Sequence, residues 1–259
     1  MAVCNNAGIL VQPCPAEWQS AKDFRDMFNV NVLGAVLVTN SVLPLIRKSM
    51  GRIVVTASIA GRVGLPTEAA YCASKFAVEA WADVLRKDMY PFGVTVHIVE
   101  PGVFPNTNLY ARFQTGLDHV WERLPDAIKQ DYGEAHYKFQ RSILGHALGE
   151  MGRFNQDSSA VSKAYVHAVT SSNPHYRYRV GADSKYLVSW FSILHEWTLD
   201  KLMEWSTYHD PRVPSVLPAT ASPLKLAVAW GRYHKDWTRF AMVLAIVGFL
   251  VHRARKSFV

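Results

Sequence analysis

The sequence predicts an α/β fold with a parallel sheet, on the basis of three observations. Two short runs rich in β-branched residues, Arg52–Thr56 and 94–99, have the unbroken apolar character of buried parallel strands. A segment with helical character, which contains the string YCASK, separates them. An apolar fraction of 49% in 259 residues is ample for a packed core. The alternation of strand, helix and strand predicts right-handed crossovers between parallel strands.

The elements before these strands follow the same alternation. Residues 1–4 end a strand, and the string NNAG forms the turn after it. A proline-containing loop leads to a long helix over 21–49, in which apolar residues recur at helical spacing, and Gly51 ends it. The strand Arg52–Thr56, the YCASK helix and the strand over 94–99 then follow in order.

The chain beyond these strands is predicted to be mainly helical. Helices are expected over 117–150 and 159–171, and Arg177–Val180 is the last predicted strand. Residues 185–205, KYLVSWFSILHEWTLDKLMEW, place apolar positions near helical spacing. They predict a helix that packs on the core or on a second copy of the chain, with contact to lipid or an apolar substrate as the alternative.

A proline-rich linker over 211–223 separates the region 1–210, which holds all the predicted strands, from a C-terminal tail over 224–259. The tail contains twelve apolar residues in a row, followed by a basic cluster. At ~1.5 Å per residue this run covers ~18 Å, less than the ~30 Å hydrocarbon core of a bilayer. The tail is therefore predicted to associate with the membrane as an interfacial or anchoring helix. A spanning helix and a packed core helix are the alternatives.

The charge distribution argues against nucleic acid and favours a membrane surface. The formal net charge is +7, but positive residues are scattered apart from the cluster in the tail. No basic stripe with interleaved aromatic residues stands out in the first hundred residues. Basic residues beside an apolar run suit anionic lipid. The three cysteines and ten histidines lack metal-ligand spacing, so no metal site is predicted, and the cysteine usage suits a reducing compartment.

Ser58, Tyr71 and Lys75 form the pattern with the most chemical content. Tyr71 and Lys75 stand four positions apart in a helical segment, so their side chains project from one face. A free tyrosine loses its proton near pH ~10, and a nearby ammonium favours the phenolate, so Lys75 is expected to lower the pKa of Tyr71. Ser58, at the end of a strand, can hydrogen-bond the same reacting oxygen. The pattern predicts a proton-transfer site.

Four motifs in this order resemble the short-chain dehydrogenase/reductase family. They are NNAG at 5–8, NVN at 29–31, Ser58 with YCASK, and the pair Pro101 and Gly102 after a strand. The resemblance covers about 3–201. It implies a partial, Rossmann-type doubly wound parallel sheet with a helical substrate lid, followed here by an apolar C-terminal helix.

The resemblance also implies a role for each matching residue. Tyr71 would exchange a proton with the substrate oxygen, Ser58 would polarise that oxygen, and Lys75 would hold the nicotinamide ribose. Asn31 would hold a water in the proton relay to Lys75. The implied catalytic residues are Asn31, Ser58, Tyr71 and Lys75. The implied cofactor-binding residues are Asn6, Ala7, Gly8, Tyr71, Lys75, Pro101, Gly102 and Thr107, the last with a shifted offset in PGVFPNTN.

The sequence departs from the family pattern at its beginning. The family binds the cofactor pyrophosphate on a glycine-rich turn after its first strand, and no G-x-x-x-G-x-G occurs here. The NNAG motif, which follows the family's fourth strand, lies at 5–8. We therefore expect that the first strands of the family fold are missing, that the strand at 1–4 is an exposed edge, and that this chain alone binds cofactor weakly.

The helix after YCASK and the later string WERLPDAIKQDYG resemble one branch of the family. That branch holds D-β-hydroxybutyrate dehydrogenase, the 17β-hydroxysteroid dehydrogenases and the retinol dehydrogenases. The predicted function is interconversion of a secondary alcohol and a ketone with NAD or NADP, NAD being favoured, most like D-β-hydroxybutyrate dehydrogenase. A hydroxysteroid or retinol dehydrogenase is one alternative, and a non-catalytic membrane-bound fragment that associates with a full-length relative is another. A membrane-associated homo-oligomer in the mitochondrion or endoplasmic reticulum is predicted.

Overall fold

Four parallel strands form one sheet in the order β1-β2-β3-β4. Val3 pairs with Ile53, and Ile53 pairs with Val96, so these three residues lie side by side across the first three strands. The predicted parallel α/β sheet is confirmed, with β1 at an edge of the described sheet. The strands are β1 (Ala2–Asn5), β2 (Arg52–Thr56), β3 (Thr95–Pro101) and β4 (Arg177–Val180).

The computed structural model describes residues 1–104, 107, 113–152, 157–187, 198 and 200. The chain divides into two units, Met1–Leu124 with Lys138–Leu194, and Pro125–Tyr137 with His195–Val259. The sheet lies in the first unit. The predicted linker and tail, and nearly all of the helix predicted over 185–205, lie outside the described residues.

Six α-helices accompany the sheet in the described part of the chain. The helix predicted over 117–150 is two helices, because Leu124 and Pro125 interrupt it. Within the second of these, Gly133 has φ 76°, a left-handed conformation that kinks the helix. The helices are α1 (Ala21–Met27), α2 (Ala35–Lys48), α3 (Ala69–Met89), α4 (Phe113–Arg123), α5 (Asp126–Gly152) and α6 (Ser159–Thr170).

The predicted long helix over 21–49 is helical from Ala21 to Lys48, but its middle is not α-helical. The segment Phe28–Gly34 is π-helical, and it contains the NVN motif. Ser20 begins the helix with a capping box, in which its side chain accepts from the Asp23 backbone and the Asp23 carboxylate accepts from the Ser20 backbone. π-helical turns are rare in proteins, and those that occur are frequently found at functional sites. The π-helical geometry of this segment therefore draws attention to Asn31.

The sheet is packed on both faces, as a doubly wound fold requires. On one face, α2 and α3 cover Ile53, Val55, Val96 and Ile98, all at or below 1% exposure. On the other face, α6 packs on the alternate residues, among them Val54. Successive residues of β2 therefore contribute in turn to the hydrophobic cores on the two faces of the sheet.

The helix Ala21–Lys48 is, among the described residues, the one segment long and apolar enough to cross a membrane by length and composition. An 18-residue window within this helix has a mean hydropathy of 1.6. Ile46 is nevertheless fully buried in the core beside β2, and Thr39 is fully buried against Asn5. These contacts are those of a helix packed on a sheet.

Candidate active site

The turns that follow β1, β2 and β3 meet at the carboxyl edge of the sheet, where ligands bind in open α/β folds. Tyr71 and Lys75, from the first two turns of α3, face the same edge. Together these elements line a cavity of about 690 Å³. Its lining includes Asn6, Gly8, Ile9, Thr56, Ser58, Tyr71, Lys75, Pro101, Gly102, Phe104, Thr107 and Tyr165.

Lys75 is 4% exposed and extends to the cavity from the second turn of α3. Its Nζ donates to the Thr56 carbonyl oxygen at 3.0 Å and lies 5.6 Å from the centroid of the Tyr71 ring. Burial lowers the pKa of Lys75 to about 8, although the negative charge of Glu79 acts in the opposite direction. The Lys75 ammonium group is therefore held in place by a backbone carbonyl.

The pKa of Tyr71 differs from the sequence-based expectation. Burial raises the pKa of Tyr71 well above its usual range, and a hydrogen bond with Ser58 lowers it only in part. The expectation that Lys75 would lower this pKa is wrong for the structure described here. The physical reason is that removing the phenolate from water raises the pKa of Tyr71, and the negative charge of Glu68 acts in the same direction. Burial also disfavours the charged form of Lys75.

Ser58 lies directly beyond β2 and is 8% exposed. Its backbone is extended, and its side chain accepts from the Ala60 backbone at 3.2 Å, capping the short 3₁₀-helix Ile59–Gly61. Ser58 and Tyr71 both line the cavity, and Ser58 lies close enough to favour the Tyr71 phenolate. The strand end and the cap thus hold the Ser58 oxygen beside the phenol.

Asn31 is 3% exposed and does not line the cavity directly. Its Oδ1 accepts from the Ile9 backbone at 2.8 Å, and its Nδ2 donates to the Ile9 carbonyl at 3.0 Å. The Nδ2 group also donates to Ser74 Oγ at 3.0 Å. Asn31 therefore ties the turn after β1 to α3, and its proposed water-holding role stays a prediction.

The NNAG turn brings two of its three predicted cofactor residues to the cavity. Asn6 and Gly8 line it, while Ala7 is exposed beside them. A Cβ added to Gly8 would lie 3.4 Å from Asn31 Oδ1 and 3.6 Å from Lys75 Nζ. Both are ordinary van der Waals distances, so the backbone at Gly8 lies near both side chains without a steric need for glycine.

The turn after β3 places Pro101, Gly102 and Thr107 at the opposite wall of the cavity. The Thr107 hydroxyl donates to the Phe104 carbonyl at 3.0 Å. Thr107 thus lines the cavity, and its contact with a cofactor carboxamide stays a prediction.

Comparison with known proteins agrees with this geometry. The family model of short chain dehydrogenases matches residues 2–117. The chain is 38% identical to retinol dehydrogenase 7 of Rattus norvegicus over 209 residues, which is 80% of this chain and 65% of that protein. It is also 38% identical to human 17-beta-hydroxysteroid dehydrogenase type 6, over 70% of this chain and 56% of the relative.

The chain belongs to the short-chain dehydrogenase family. It spans somewhat less than two thirds of the length of the curated relatives it matches. Among solved structures, a short-chain dehydrogenase from Streptomyces avermitilis matches with a TM-score of 0.55 at 23% identity, covering 79% of this chain and 68% of that one. This likeness confirms the fold.

The relatives correct one sequence-based expectation. The matches are to retinol and hydroxysteroid dehydrogenases, which the sequence analysis held as an alternative. The likeness to D-β-hydroxybutyrate dehydrogenase, which was the first choice, is not supported.

Tyr165 is a site residue that the sequence analysis missed. Its hydroxyl donates to Asn6 Oδ1 at 2.8 Å and contacts Thr56 Oγ1. Burial raises its pKa to about 12. Because Thr56 also binds Lys75 through its carbonyl, Tyr165 joins α6 to the turn after β1 and to the lysine. The amphipathic spacing of α6 was the only signal available, and it does not show which polar group a tyrosine contacts.

A buried ionic cluster lies behind the site. Arg177 contacts Glu79 and bonds Glu100 Oε1 and Asp83 Oδ2, both at 2.5 Å. The side chains of Glu79 and Glu100 are 6% and 1% exposed. Burial and the neighbouring Glu100 raise the pKa of Glu79 to about 7, against the effect of Arg177. Glu79 follows Lys75 by one helical turn, so this cluster stabilises the N-terminal half of α3.

We expect Gly102→Ala to destabilise the fold by about 1–3 kcal/mol, because overpacking in a filled region forces neighbouring groups apart. An added Cβ would lie 1.8 Å from Asp183 Oδ1, closer than atoms can approach. The matched control is Gly64→Ala, since nothing lies within 4 Å of a Cβ at that glycine. Thermal unfolding of both variants measures the difference, and equal melting temperatures would contradict the packing at Gly102.

Proposed function

We propose that this protein is an oxidoreductase that interconverts an alcohol and the corresponding carbonyl compound by hydride transfer with a nicotinamide dinucleotide. The observation that carries the proposal is the convergence of Ser58, Tyr71 and Lys75 on one cavity at the carboxyl edge of the parallel sheet. Family membership supports it, because the same three residues lie at the positions that the family motif implies. The relatives' names support it further.

The cavity fits the nicotinamide and ribose part of such a cofactor. The glycines at 8 and 102 bring backbone to its walls, and Asn6, Thr107 and Lys75 add groups that bond hydroxyls and amides. One protein of similar fold, a short chain dehydrogenase from Burkholderia cenocepacia, has been solved in complex with NADP. We propose NAD or NADP here, with Lys75 holding ribose hydroxyls and Gly8 lying beside them.

The chemistry that the cofactor supplies when bound is hydride transfer. Tyr71 gives a proton to the carbonyl oxygen during reduction, or takes one from the alcohol during oxidation. Ser58, which lines the cavity with Tyr71, accepts or donates a hydrogen bond at the same substrate oxygen. The raised pKa of Tyr71 keeps the phenol protonated, as the reductive direction requires.

The cavity favours an apolar alcohol over a small acid. Among its described lining residues Lys75 is the one cation, and its Nζ is bonded to the Thr56 carbonyl. Apolar surface comes from Ile9, Phe104 and Val161. Arg123 of α4, a cation that could anchor a small acid, is paired with Asp23 at 2.8 Å. A retinoid or steroid alcohol is therefore the proposed substrate class.

A substrate panel tests this proposal in the full-length native protein. All-trans-retinol, a hydroxysteroid and D-3-hydroxybutyrate are each offered with NAD⁺ and with NADP⁺, and reduced cofactor is measured by absorbance. We expect turnover of retinol or the steroid and none of D-3-hydroxybutyrate. Turnover of the small acid alone would contradict the substrate class, and no turnover with any alcohol would contradict the enzyme assignment.

Membrane association, a homo-oligomeric state and residence in the mitochondrion or endoplasmic reticulum stay predictions. They rest on the apolar and basic tail over 224–259 and on the branch resemblance. Exposed apolar residues on the helix Ala21–Lys48, such as Leu33 and Leu37, are compatible with a protein partner.

A further inference from the structure

The segment after β4 carries two buried polar residues that contact the turn after β3. Asp183 is 7% exposed and Ser184 is fully buried. They begin a short π-helical segment, Asp183–Leu187, after Gly181, which has φ 103°. Two adjacent buried polar side chains at the end of a sheet call for a role, because burying such groups is costly unless they are hydrogen-bonded.

Both side chains are bonded to the chain around Pro101. Asp183 Oδ2 accepts from the Val103 backbone at 2.7 Å, and Asp183 Oδ1 accepts from the Ser184 backbone at 2.8 Å. Ser184 Oγ donates to the Glu100 carbonyl at 2.7 Å. The segment after β4 thus holds the residues on each side of the Pro101 and Gly102 pair.

Gly102 fits between the cavity and the Asp183 carboxylate. Its own N–H donates to the Val180 carbonyl at 2.8 Å, which fixes the turn to the end of β4. An added Cβ would lie 1.8 Å from Asp183 Oδ1 and 2.3 Å from its carboxyl carbon, so the carboxylate fills the space where a side chain would be. The turn lines the cavity. It therefore cannot recede from a ligand without displacing Asp183.

We propose that Asp183 is a positioning residue that fixes the Pro101 and Gly102 turn against the nicotinamide end of the cofactor. This inference rests on the proposed function, because it takes the cavity to be the cofactor site. Asp183 itself does not line the cavity, so it acts through the turn. A carboxylate suits the task, since its two oxygens accept from two backbone donors at once.

The test compares Asp183→Asn with Thr95→Ala in the full-length protein. An asparagine side chain has the same shape but only one acceptor oxygen, so at least one of the two backbone bonds is lost. Thr95 lies at the opposite end of β3, where its hydroxyl bonds His97 Nε2 at 2.8 Å. The control therefore removes one side-chain hydrogen bond at the start of β3, the strand whose other end leads into the Pro101 and Gly102 turn.

Three measurements are made on each variant: amide hydrogen exchange of the peptide that contains 101–104, the Kd for NADH by fluorescence, and the melting temperature. We expect Asp183→Asn to speed exchange in the turn and to raise the Kd about five- to tenfold, the effect of losing one hydrogen bond. Thr95→Ala is expected to leave the Kd and the turn's exchange unchanged. Asp183→Glu, which restores the charge but is one methylene longer, is expected not to restore the affinity.

The outcomes separate this inference from the proposed function. If the wild-type protein binds no NADH, the proposed function fails and the positioning role fails with it. If the wild type binds NADH and Asp183→Asn binds it equally well, the function stands and the positioning role is overturned. Equal increases in Kd for Asp183→Asn and Thr95→Ala would also overturn it, since they would reflect general destabilisation.

Discussion

The Tyr71→Phe substitution is expected to lower turnover about a thousandfold while leaving the affinity for NADH unchanged, because general acid catalysis contributes about 10²–10⁴-fold. Phenylalanine keeps the ring, whose centroid lies 5.6 Å from Lys75 Nζ, and removes only the hydroxyl on the Ser58 side of the cavity. Steady-state rates with retinol and NADH fluorescence titration, both on the full-length protein, measure the two effects.

The matched control is Tyr176→Phe. Tyr176 is 64% exposed, and its ring packs on Arg86, a contact that phenylalanine retains. This variant is expected to turn over at the wild-type rate. A Tyr71→Phe protein with wild-type turnover would remove Tyr71 from the mechanism. A variant that lost both turnover and NADH binding would assign the hydroxyl a role in binding.

The Arg177→Met substitution is expected to lower the free energy of unfolding by about 3–5 kcal/mol, because removing one partner of a buried ionic cluster leaves its other charges uncompensated. Arg177 contacts Glu79 and bonds Glu100 and Asp83, and both glutamates are nearly fully buried. Urea unfolding at pH 8 measures the loss.

The loss is expected to depend on pH, with a sign set by Glu79. Its pKa is raised from 4.5 to about 7 by burial and Glu100, so the folded state binds this proton more tightly than the unfolded state does. Its contribution to stability is therefore present below pH 4.5 and is lost as the pH rises through about 7. Without Arg177, which lowers this pKa, the folded pKa rises further and the loss is larger at pH 8 than at pH 5.

Two further variants test this explanation. Lys22→Met breaks the exposed Lys22–Asp26 pair and is expected to change stability by no more than about 0.5 kcal/mol. Adding Glu79→Gln to Arg177→Met removes one uncompensated charge and is expected to recover part of the stability at pH 8. An Arg177→Met protein as stable at pH 8 as at pH 5 would contradict the role assigned to Glu79.

The sequence predicted the sheet and much of the site for a simple reason. Parallel strands end at one edge, so motifs that follow successive strands, such as NNAG and Ser58, are brought together by the fold class itself. The four-residue spacing of Tyr71 and Lys75 placed both on one face of α3. The break between α4 and α5 was missed, because the apolar pattern continues on both sides of Pro125.

The charge state of the site could not be predicted in the same way. The spacing of Lys75 and Tyr71 suggested a lowered phenol pKa, but that pKa depends on how much water the surrounding chain excludes. Burial is a property of the whole packed structure, and in this cavity it outweighs the contribution of a neighbouring side chain. The substrate class could not be predicted from local patterns either, because the apolar residues that line the cavity come from elements that are far apart in the sequence.

By itself, the sequence determined the α/β fold and the family, and it predicted the catalytic triple Ser58, Tyr71 and Lys75, because these depend on local periodicity and on the order of motifs. Only the tertiary structure decided which polar groups support that triple. Tyr165 and Asn6 are 159 positions apart, Arg177 and Glu79 are 98 apart, and Asp183 and Val103 are 80 apart. No local pattern encodes such pairs, since each forms only when α6, β4 and the segment after β4 pack against the sheet.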